Sequence, residues 1–352
     1  MRTILIMAGG TAGHVMPALA VAECLVAAGW LVHWMGTPAG MENRLVAPFA
    51  YPMHPVEFSG VRGKHWRTRL MLPFTVLRAL WQSMRILRRV KPAVVLGMGG
   101  YISLPGGCAA RLLGYPLVIH EQNRVAGSAN RVLARVANRV LESFPGSLAR
   151  ALLPGNPVRS SIAAIAAPGE RFAPRSGRLR LVVIGGSLGA QALNECVPQA
   201  LAQIAFEQRP QVVHQAGERH LDALRQAYRA AGVEGDLRAF IEDMASLYAS
   251  ADLVICRAGA TTVAELASAG VAAILVPYPH AIDDHQSANA RFLSEAGAAI
   301  LLPQAELNPA TLAALISELT RDRLLGMAQR ARVLGTAQAA QQVMSHCIGV
   351  AI

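Results

Sequence analysis

Short glycine-rich loops hold the residues of this chain whose types and spacing could do chemistry. The first glycine loop is Gly9-Gly10-Thr11-Ala12-Gly13 and the second is Gly185-Gly186-Ser187-Leu188-Gly189; each ends an apolar run and precedes a helical pattern. Glycine permits positive φ and a close approach of backbone N–H groups to a ligand, and the start of a helix favours an anion. The repeated device indicates two α/β halves facing a shared cleft. The alternative is that both loops are tight turns without a ligand.

His14 follows the first glycine loop directly, which places an imidazole at the start of a predicted helix. Its unperturbed pKa of about 6.5 suits a general base near neutral pH. The alternative is a histidine that only caps the helix or is merely exposed. A third glycine loop, Gly97 to Ser103, follows another apolar run. Together the first and third loops would supply N–H groups for a pyrophosphate.

Polar residues follow three further predicted strands. His120-Glu121-Gln122-Asn123 could read the hydroxyls of a sugar, because amide groups both donate and accept hydrogen bonds. Arg257 to Glu265 runs from a strand end into a helix, where Glu265 could bind two vicinal hydroxyls of a ribose or simply be an acid that the helix dipole favours. The loop Pro277 to Asn289 carries Asp and His, yet polar loop solvation explains it better than a metal site.

The elements that position these loops alternate between short apolar strands and helical patterns. Such βαβ alternation predicts parallel sheets, whose ligands bind beyond the carboxyl ends of the strands. The predicted strands are Thr3–Met7, Leu31–Met35, Ala93–Leu96, Pro116–Ile119, Arg139–Leu141, Leu179–Ile184, Val212–Ala216, Leu237–Phe240, Asp252–Cys256, Ala272–Val276 and Ala299–Leu302. A helix is predicted over Pro17–Ala28, capped by Gly29, and a connector over 166–177.

Composition narrows the class of protein. The 352 residues suit two domains, and no apolar run reaches the roughly 18 to 20 residues that a membrane span requires. The 5 cysteines are widely spaced and never form a C-x-x-C pair, so neither a disulfide framework nor a zinc site is indicated. The net charge of +11 is uneven: residues 1–160 hold 18 basic and 5 acidic side chains (+13), and the remainder hold 15 and 17 (−2).

The basic first half suggests a polyanionic partner. No acidic residue occurs between Glu57 and Glu121, an interval in which basic residues interleave with Trp66, Leu70, Phe74, Leu77 and Trp81. This composition is typical of an interfacial helix on an anionic membrane. An amphipathic core helix with a solvated basic face is the competing interpretation. Nucleic acid fits less well, since the stretch is dominated by aliphatic residues and offers few aromatic stacking platforms.

The loops together resemble one family, the MurG peripheral membrane glycosyltransferases, which add N-acetylglucosamine to the undecaprenyl-pyrophosphoryl-MurNAc-pentapeptide precursor of peptidoglycan. The matching segments are Gly9 to His14, Gly97 to Ser103, His120 to Asn123, Gly155 to Arg159, Gly185 to Ala190, Phe240 to Met244, Cys256 to Glu265 and Asp283 to Asn289. The resemblance implies a GT-B fold, with two Rossmann-like doubly wound parallel-sheet domains around a cleft. Residues 1–160, joined by a last helix at about 336–352, would bind the acceptor and the membrane, and residues 161–335 would bind the UDP-sugar donor.

The resemblance also implies roles for individual residues. Donor contacts would come from Thr11, Ala12, Gly13, Asn123, Arg159, Ser187, Ile241, Ala260, Thr261, Thr262, Val263, Ala264, Glu265 and Gln286. Among them, Glu265 would hold the ribose, Ser187 the diphosphate, Asn123 and Gln286 the sugar hydroxyls, and the backbone of Ile241 the uracil. The acceptor's pyrophosphate would meet Gly10, Gly13, Gly99, Gly100 and Tyr101. Membrane docking would use Trp66, Arg69, Leu70, Leu72, Phe74, Leu77, Trp81 and Arg85.

The implied reaction is an inverting transfer from UDP-N-acetylglucosamine to O4 of MurNAc, with His14 as candidate base. It would be the last cytoplasmic step of the lipid-linked peptidoglycan precursor, at the cytoplasmic face of the membrane, in the service of cell wall growth, shape and division. The expected partners are the donor, the lipid-linked acceptor and an anionic membrane, with no nucleic acid. The absence of an Asp-x-Asp motif agrees with no tightly bound metal or other cofactor.

Two departures from the family pattern bear on the fine geometry of the loops: Ala12 replaces a frequent glycine, and Leu188 replaces a frequent glutamine. A dehydrogenase is the rival enzyme class, yet the chain has no G-x-G-x-x-G motif and no acid at Met35-Gly36-Thr37 for an adenosine ribose. A non-catalytic nucleotide-sugar binding protein is the rival from another class.

Overall fold

The chain divides into two compact units. The computed structural model describes residues 1–58, 72–186 and 189–352. Unit 1 consists of Met1–Arg159 and Ala337–Ile352, and unit 2 consists of Ser160–Thr336. Each unit is built on its own six-stranded parallel sheet.

Unit 1 contains the strands β1 (Thr3–Met7), β2 (Leu31–Gly36), β3 (Met53–Pro55), β4 (Val94–Gly97), β5 (Leu117–Glu121) and β6 (Arg139–Glu142). Their order in the sheet is β3-β2-β1-β4-β5-β6. β1 is buried on both faces, as continuous apolar strands of parallel sheets are. The chain reverses its direction of winding between β1 and β4, which creates a crevice beyond their carboxyl ends.

The helices of unit 1 up to β6 are α1 (Ala12–Ala27), α2 (Met41–Val46), α3 (Leu72–Val90), α4 (Ser103–Leu112) and α5 (Ser128–Leu133). The prediction that α1 starts at Pro17 is wrong, because Thr11 is already the extended residue that precedes the helix. Gly10, with φ of +88°, turns the chain so sharply after β1 that the helix begins at once and includes Pro17. His14 therefore lies in the first turn of α1.

Unit 2 repeats the architecture with β7 (Arg180–Ile184), β8 (Gln211–Gln215), β9 (Asp236–Arg238), β10 (Leu253–Cys256), β11 (Ala272–Leu275) and β12 (Ala299–Leu301). Its helices are α6 (Ser160–Ala163), α7 (Pro168–Phe172), α8 (Gln191–Ala202), α9 (Leu221–Ala230), α10 (Met244–Ser250), α11 (Ala260–Ala269), α12 (His285–Ser294), α13 (Pro309–Glu318) and α14 (Arg321–Leu334). The strand order β12-β11-β10-β7-β8-β9 is that of unit 1, read from the opposite edge. The switch point lies between β7 and β10.

Two further elements differ from the sequence-based expectation. The short strand β3 pairs with β2 at the edge of its sheet and was not predicted; Pro55 ends it. The segment 166–177, predicted as a connector, contains the helix α7. Pro168 suits the first turn of a helix, where its missing N–H has no partner to lose. Arg171 and Phe172 are buried, so this segment is part of the fold of unit 2.

The last helix, α15 (Ala339–Ile348), belongs to unit 1 and packs on α1. Its buried side chains Ala340, Val343 and Cys347 complete the apolar core on that face of the sheet. Within the described ranges, no helix combines the length and the apolar character that crossing a bilayer requires.

Candidate functional site

The first and third glycine loops of unit 1 contact each other beyond the ends of β1 and β4. A Cβ atom on Gly100 would lie 2.3 Å from the Gly9 carbonyl oxygen, and one on Gly99 would lie 2.7 Å from His14 Cδ2. Gly99 and Gly100 also have positive φ, so both sterics and backbone conformation require glycine there. Tyr101 lies against Gly10, 3.1 Å from where its Cβ would be. Of the residues predicted around the acceptor's pyrophosphate, the structure thus brings together Gly10, Gly99, Gly100 and Tyr101.

His14 is half-buried and its Nδ1 lies 3.1 Å from Thr11 Oγ1. The tautomer decides what the ring can do. If Nδ1–H donates to the threonine hydroxyl, Nε2 carries a lone pair and can accept a proton. If the hydroxyl donates to Nδ1 of a neutral ring, Nε2 carries the hydrogen and cannot. A base role for His14 therefore requires Thr11 to accept.

A buried carboxylate lies beneath the first glycine loop, and it was not predicted. Glu42 Oε2 accepts a hydrogen bond from Gly10 N–H at 3.2 Å, while Oε1 accepts from the Thr37 N–H at 2.7 Å and from its hydroxyl at 2.8 Å. Glu42 is 0% exposed. Gly10 therefore contributes its backbone conformation to the loop, and its N–H is directed to the protein's own carboxylate.

The polar residues at the end of β5 form an internal network. His120 and Glu121 are the last two residues of this strand, which runs two residues beyond its predicted end at Ile119. Glu121 accepts from Asn123 N–H at 2.9 Å, from Gly127 N–H at 3.0 Å and from Asn130 Nδ2 at 2.9 Å. His120 bonds the Gly155 carbonyl through Nε2 at 2.9 Å, and burial lowers its pKa to about 4. Of the predicted sugar-reading run, only Asn123 is partly exposed. The hydrogen bonds to Glu121 therefore fix the turn on which Asn123 lies.

Some buried polar atoms near this network lack a hydrogen-bond partner. They include Gln122 Oε1 and both polar atoms of the Asn156 side chain. A Cβ atom on Gly99 would lie 3.2 Å from Gln122 Oε1, so this oxygen points toward the third glycine loop. Unpaired buried polar atoms are uncommon and are expected where a ligand or water binds. Arg159, predicted to contact the donor, lies three residues after Asn156. Burial raises the pKa of Glu23, and the positive charge of Arg159 nearby opposes that rise.

In unit 2 the second glycine loop is held against the end of β8. Gly186 N–H donates to Gln215 Oε1 at 3.2 Å, and Gln215 Nε2 donates to the Gly186 carbonyl at 2.9 Å. Gly189 has a positive φ, and a Cβ there would lie 2.2 Å from the Ala216 carbonyl oxygen. Ser187 and Leu188 lie outside the described residues, so the predicted diphosphate contact of Ser187 stays a prediction.

The segment after β10 turns into α11 at Gly259, which has extended backbone. Ala260 and Val263 are buried, Thr261, Thr262 and Ala264 are partly exposed, and Glu265 is 7% exposed. Glu265 is the sixth residue of α11 and no acid occupies its first turn, so the helix-dipole explanation of this residue does not apply. Instead, the Tyr248 hydroxyl donates to Glu265 Oε2 at 3.1 Å.

Gln286 ties two loops together at the same end of this sheet. Its Oε1 accepts from Ala258 N–H at 3.3 Å and from Tyr278 N–H at 2.9 Å. Ile241, predicted at the uracil, is 7% exposed in the segment between β9 and α10. The loops predicted for donor contacts in unit 2 therefore lie beyond the carboxyl ends of β7, β9, β10 and β11. Across the described part of the chain, no three His, Cys, Asp or Glu side chains form a metal-ligand set.

Comparison with known proteins decides the family. Residues 4–142 match the N-terminal domain of glycosyltransferase family 28, and residues 180–343 match its C-terminal domain. The chain is 60% identical over 347 residues to a protein of Azoarcus sp. (99% of this chain, 98% of that one) and 56% identical over 353 residues to one of Ralstonia nicotianae (99% and 97%). Both are named UDP-N-acetylglucosamine–N-acetylmuramyl-(pentapeptide) pyrophosphoryl-undecaprenol N-acetylglucosamine transferase. The chain belongs to the MurG family of family 28 glycosyltransferases.

Solved structures agree with this assignment. The crystal structure of MurG from Acinetobacter baumannii superposes with a TM-score of 0.86 at 42% identity, covering 99% of this chain and 100% of that one. The glycotransferase of kitacinnamycin, at 18% identity and a TM-score of 0.69 over 98% and 99% of the two chains, shares the fold. The predicted GT-B class and the predicted enzyme class, a glycosyltransferase, are thereby confirmed.

The predicted membrane residues lie partly on α3. Its buried face, Ala79, Ser83 and Leu87, packs into unit 1. The opposite face exposes Phe74 (67%), Leu77 (62%) and Trp81 (56%). Leu72 is partly exposed and Arg85 is exposed, with its guanidinium 4.6 Å from the centre of the Trp81 ring. Packing in the core and docking on a membrane are therefore compatible interpretations of this helix, because they involve opposite faces of it. Trp66, Arg69 and Leu70 lie outside the described residues.

Proposed function

We propose that this chain transfers N-acetylglucosamine from UDP-N-acetylglucosamine to O4 of MurNAc in undecaprenyl-pyrophosphoryl-MurNAc-pentapeptide. The observation that carries the proposal is identity of 56% or more, over nearly the whole length of both chains, to proteins named for this transfer. The positions of the predicted donor and acceptor loops, beyond the carboxyl ends of the strands in each unit, support it. In a doubly wound sheet this is where ligands bind.

The proposed chemistry is a single in-line displacement. The acceptor O4 attacks the anomeric carbon of the α-linked donor, the bond to UDP breaks, and a β-linkage forms. His14 Nε2 takes the proton of the attacking hydroxyl, with Thr11 accepting from Nδ1–H. Backbone N–H groups and the start of α8 stabilise the charge that develops on the leaving diphosphate, which makes a tightly bound metal unnecessary. Turnover that survives removal of divalent ions by a chelator is expected.

The test is transfer of labelled N-acetylglucosamine from its UDP donor to a polyprenyl-pyrophosphoryl-MurNAc-pentapeptide. The parent is compared with Glu265→Ala and with Glu234→Ala, an exposed acid in the same unit. Parent and Glu234→Ala should turn over alike and Glu265→Ala poorly. Donor binding without transfer by the parent would contradict the proposal and favour a binding protein. Separately, unchanged turnover across pH in His14→Ala would remove the base assignment.

The exposed face of α3 supports a peripheral position on an anionic membrane, at the cytoplasmic leaflet where a nucleotide sugar is available. Apolar side chains would enter the headgroup boundary while basic residues meet anionic lipid. Sedimentation with vesicles tests this. A triple variant with Phe74, Leu77 and Trp81 changed to serine should lose binding to anionic vesicles. The control is Phe206→Ser, an equally exposed aromatic residue (67%) in unit 2. Equal binding of both variants would refute the docking face.

A further inference from the structure

The hydrogen bond between Tyr248 and Glu265 joins two buried side chains of unit 2. Tyr248 on α10 is 0% exposed, Glu265 on α11 is 7% exposed, and the phenol oxygen lies 3.1 Å from Glu265 Oε2. Glu265 is the residue that the family resemblance assigns to the donor's ribose. An ionised carboxylate only accepts hydrogen bonds, so the tyrosine must donate. Because the terminal torsion of a glutamate is broad and roughly two-fold, such a bond selects one orientation of the carboxylate plane.

The main chain of Tyr248 is fixed to the same helix that carries Glu265. Arg171 Nη1 donates to the Tyr248 carbonyl at 3.2 Å, and Nη2 donates to the carbonyls of Ala269, at 2.9 Å, and of Gly270. These last two residues end α11. The buried guanidinium therefore links the end of α11 to α10, and the distance from the tyrosine hydroxyl to the carboxylate is set at both the side chain and the backbone.

We propose that Tyr248 is a positioning residue for recognition of the donor's ribose. Its hydroxyl holds the Glu265 carboxylate in the orientation that accepts hydrogen bonds from the two vicinal ribose hydroxyls. The inference rests on the proposed function, since it takes a uridine nucleotide as the ligand of unit 2. Tyr248 is 0% exposed, so its effect on the ribose passes through Glu265. Hydrogen bonds with a charged partner are the stronger and more directional ones, so losing one should be measurable in binding.

The experiment is calorimetric titration of the full-length chain with UDP and with 2′,3′-dideoxy-UDP, which lacks both hydroxyls that the carboxylate would bridge. The parent should bind UDP at least about tenfold more tightly than the dideoxy compound. Tyr248→Phe should bind UDP about tenfold more weakly than the parent, with the affinity for 2′,3′-dideoxy-UDP unchanged. The matched control is Tyr228→Phe, because Tyr228 is equally buried in the same unit and its hydroxyl bonds His214 Nδ1 instead, at 3.0 Å. That variant should keep the parent's preference for UDP.

A second arm repeats Tyr248→Phe in a Glu265→Ala background, where the tyrosine should have no further effect on UDP binding. A merely structural tyrosine would weaken both nucleotides equally, and that result overturns the proposal. The proposal is also overturned if Tyr248→Phe keeps the parent's preference for UDP, or if the parent does not discriminate between the two nucleotides. Partial unfolding cannot imitate the expected result, since it scales both dissociation constants alike. These arms need no acceptor, so failure of sugar transfer would count against the proposed function alone.

Discussion

Gly40 offers a direct test of the carboxylate beneath the first glycine loop. A Cβ atom on Gly40 would lie 2.1 Å from Glu42 Oε1 and 2.3 Å from Oε2. The backbone itself accepts alanine, because Gly40 has φ of −76° and ψ of 158°. Since the contact is with the end of a flexible side chain, Gly40→Ala should expel the carboxylate rather than distort the backbone. The cost then comes from the hydrogen bonds that Glu42 loses.

The magnitude follows from the partners. The carboxylate accepts from the Gly10 N–H, the Thr37 N–H and the Thr37 hydroxyl at 3.2, 2.7 and 2.8 Å. A buried donor left without its acceptor costs about 1–3 kcal/mol, and the threonine hydroxyl can rotate to another acceptor. Two N–H donors therefore lose their acceptor, and we expect Gly40→Ala to lower the free energy of unfolding of unit 1 by about 2–6 kcal/mol, a large part of the roughly 5–15 kcal/mol typical of a domain. Turnover should fall with it, because Gly10 leads into His14.

The assay is urea unfolding followed by tryptophan fluorescence. All 4 tryptophans precede residue 160, so the signal reports unit 1. Gly127→Ala is the matched control, because Gly127 also precedes a helix with extended backbone beside a buried glutamate, yet its Cβ would stay 3.9 Å from Glu121 Oε2. Gly40→Ala combined with Glu42→Ala should cost no more than Glu42→Ala alone. Equal stability of the two glycine variants, or additive costs in the double variant, would refute the reasoning.

Two further predictions concern stability. Burial, with the neighbouring charges second, lowers the pKa of His54 to about 4, so the unfolded state binds its proton first, near pH 6.5. The stabilisation is complete above pH 6.5 and is lost as pH falls toward 4, by about 3 kcal/mol at most. His54→Leu should therefore flatten this part of the profile of stability against pH for unit 1, followed by tryptophan fluorescence. The control is His280→Leu at an exposed histidine, and equally steep profiles for the two variants would contradict the prediction. Asp252 is fully buried and pairs with Arg175 at 2.5 Å, so Asp252→Asn should lower the stability of unit 2 by about 3–5 kcal/mol in urea unfolding followed by circular dichroism. The control is Asp222, whose ion pair with Arg225 is exposed, and Asp222→Asn should be indistinguishable from the parent.

Most strands of both sheets could be predicted because strands buried on both faces read as continuous apolar runs. β3 could not, because three residues ending at Pro55 carry too little periodicity and are held only by pairing with β2. α7 was hidden for a different reason. Pro168 and Gly169 are typical of a loop, yet Arg171 behind them finds three of its four carbonyl partners 77 to 99 positions away in the chain. No local pattern contains that information.

The candidate site divides in the same way. The glycine loops, His14 and Glu265 could be predicted as site candidates because loop positions at strand ends and the family's motifs point to them directly. Glu42 was missed, since a lone acid after Gly40 looks like any surface residue of a short helix. The signal that could have revealed it is the placement of Gly9, Gly36 and Gly40, whose absent side chains leave room for one carboxylate. That placement has meaning only after β1 and β2 are paired.

Two of the loops are held by a buried carboxylate that accepts hydrogen bonds from their backbone, and this limits how the loops can bind anions. Glu42 and Glu121 occupy N–H groups of Gly10, Thr37, Asn123 and Gly127 that a phosphate could otherwise use. Glu42 also puts a carboxylate under the loop assigned to the acceptor's pyrophosphate, which opposes binding unless other charges compensate. The +13 of residues 1–160 is of the right sign to do so. Affinity for the pyrophosphate acceptor should therefore depend on salt more steeply than a cradle made of N–H groups alone would require, because part of it comes from basic side chains that mobile ions screen.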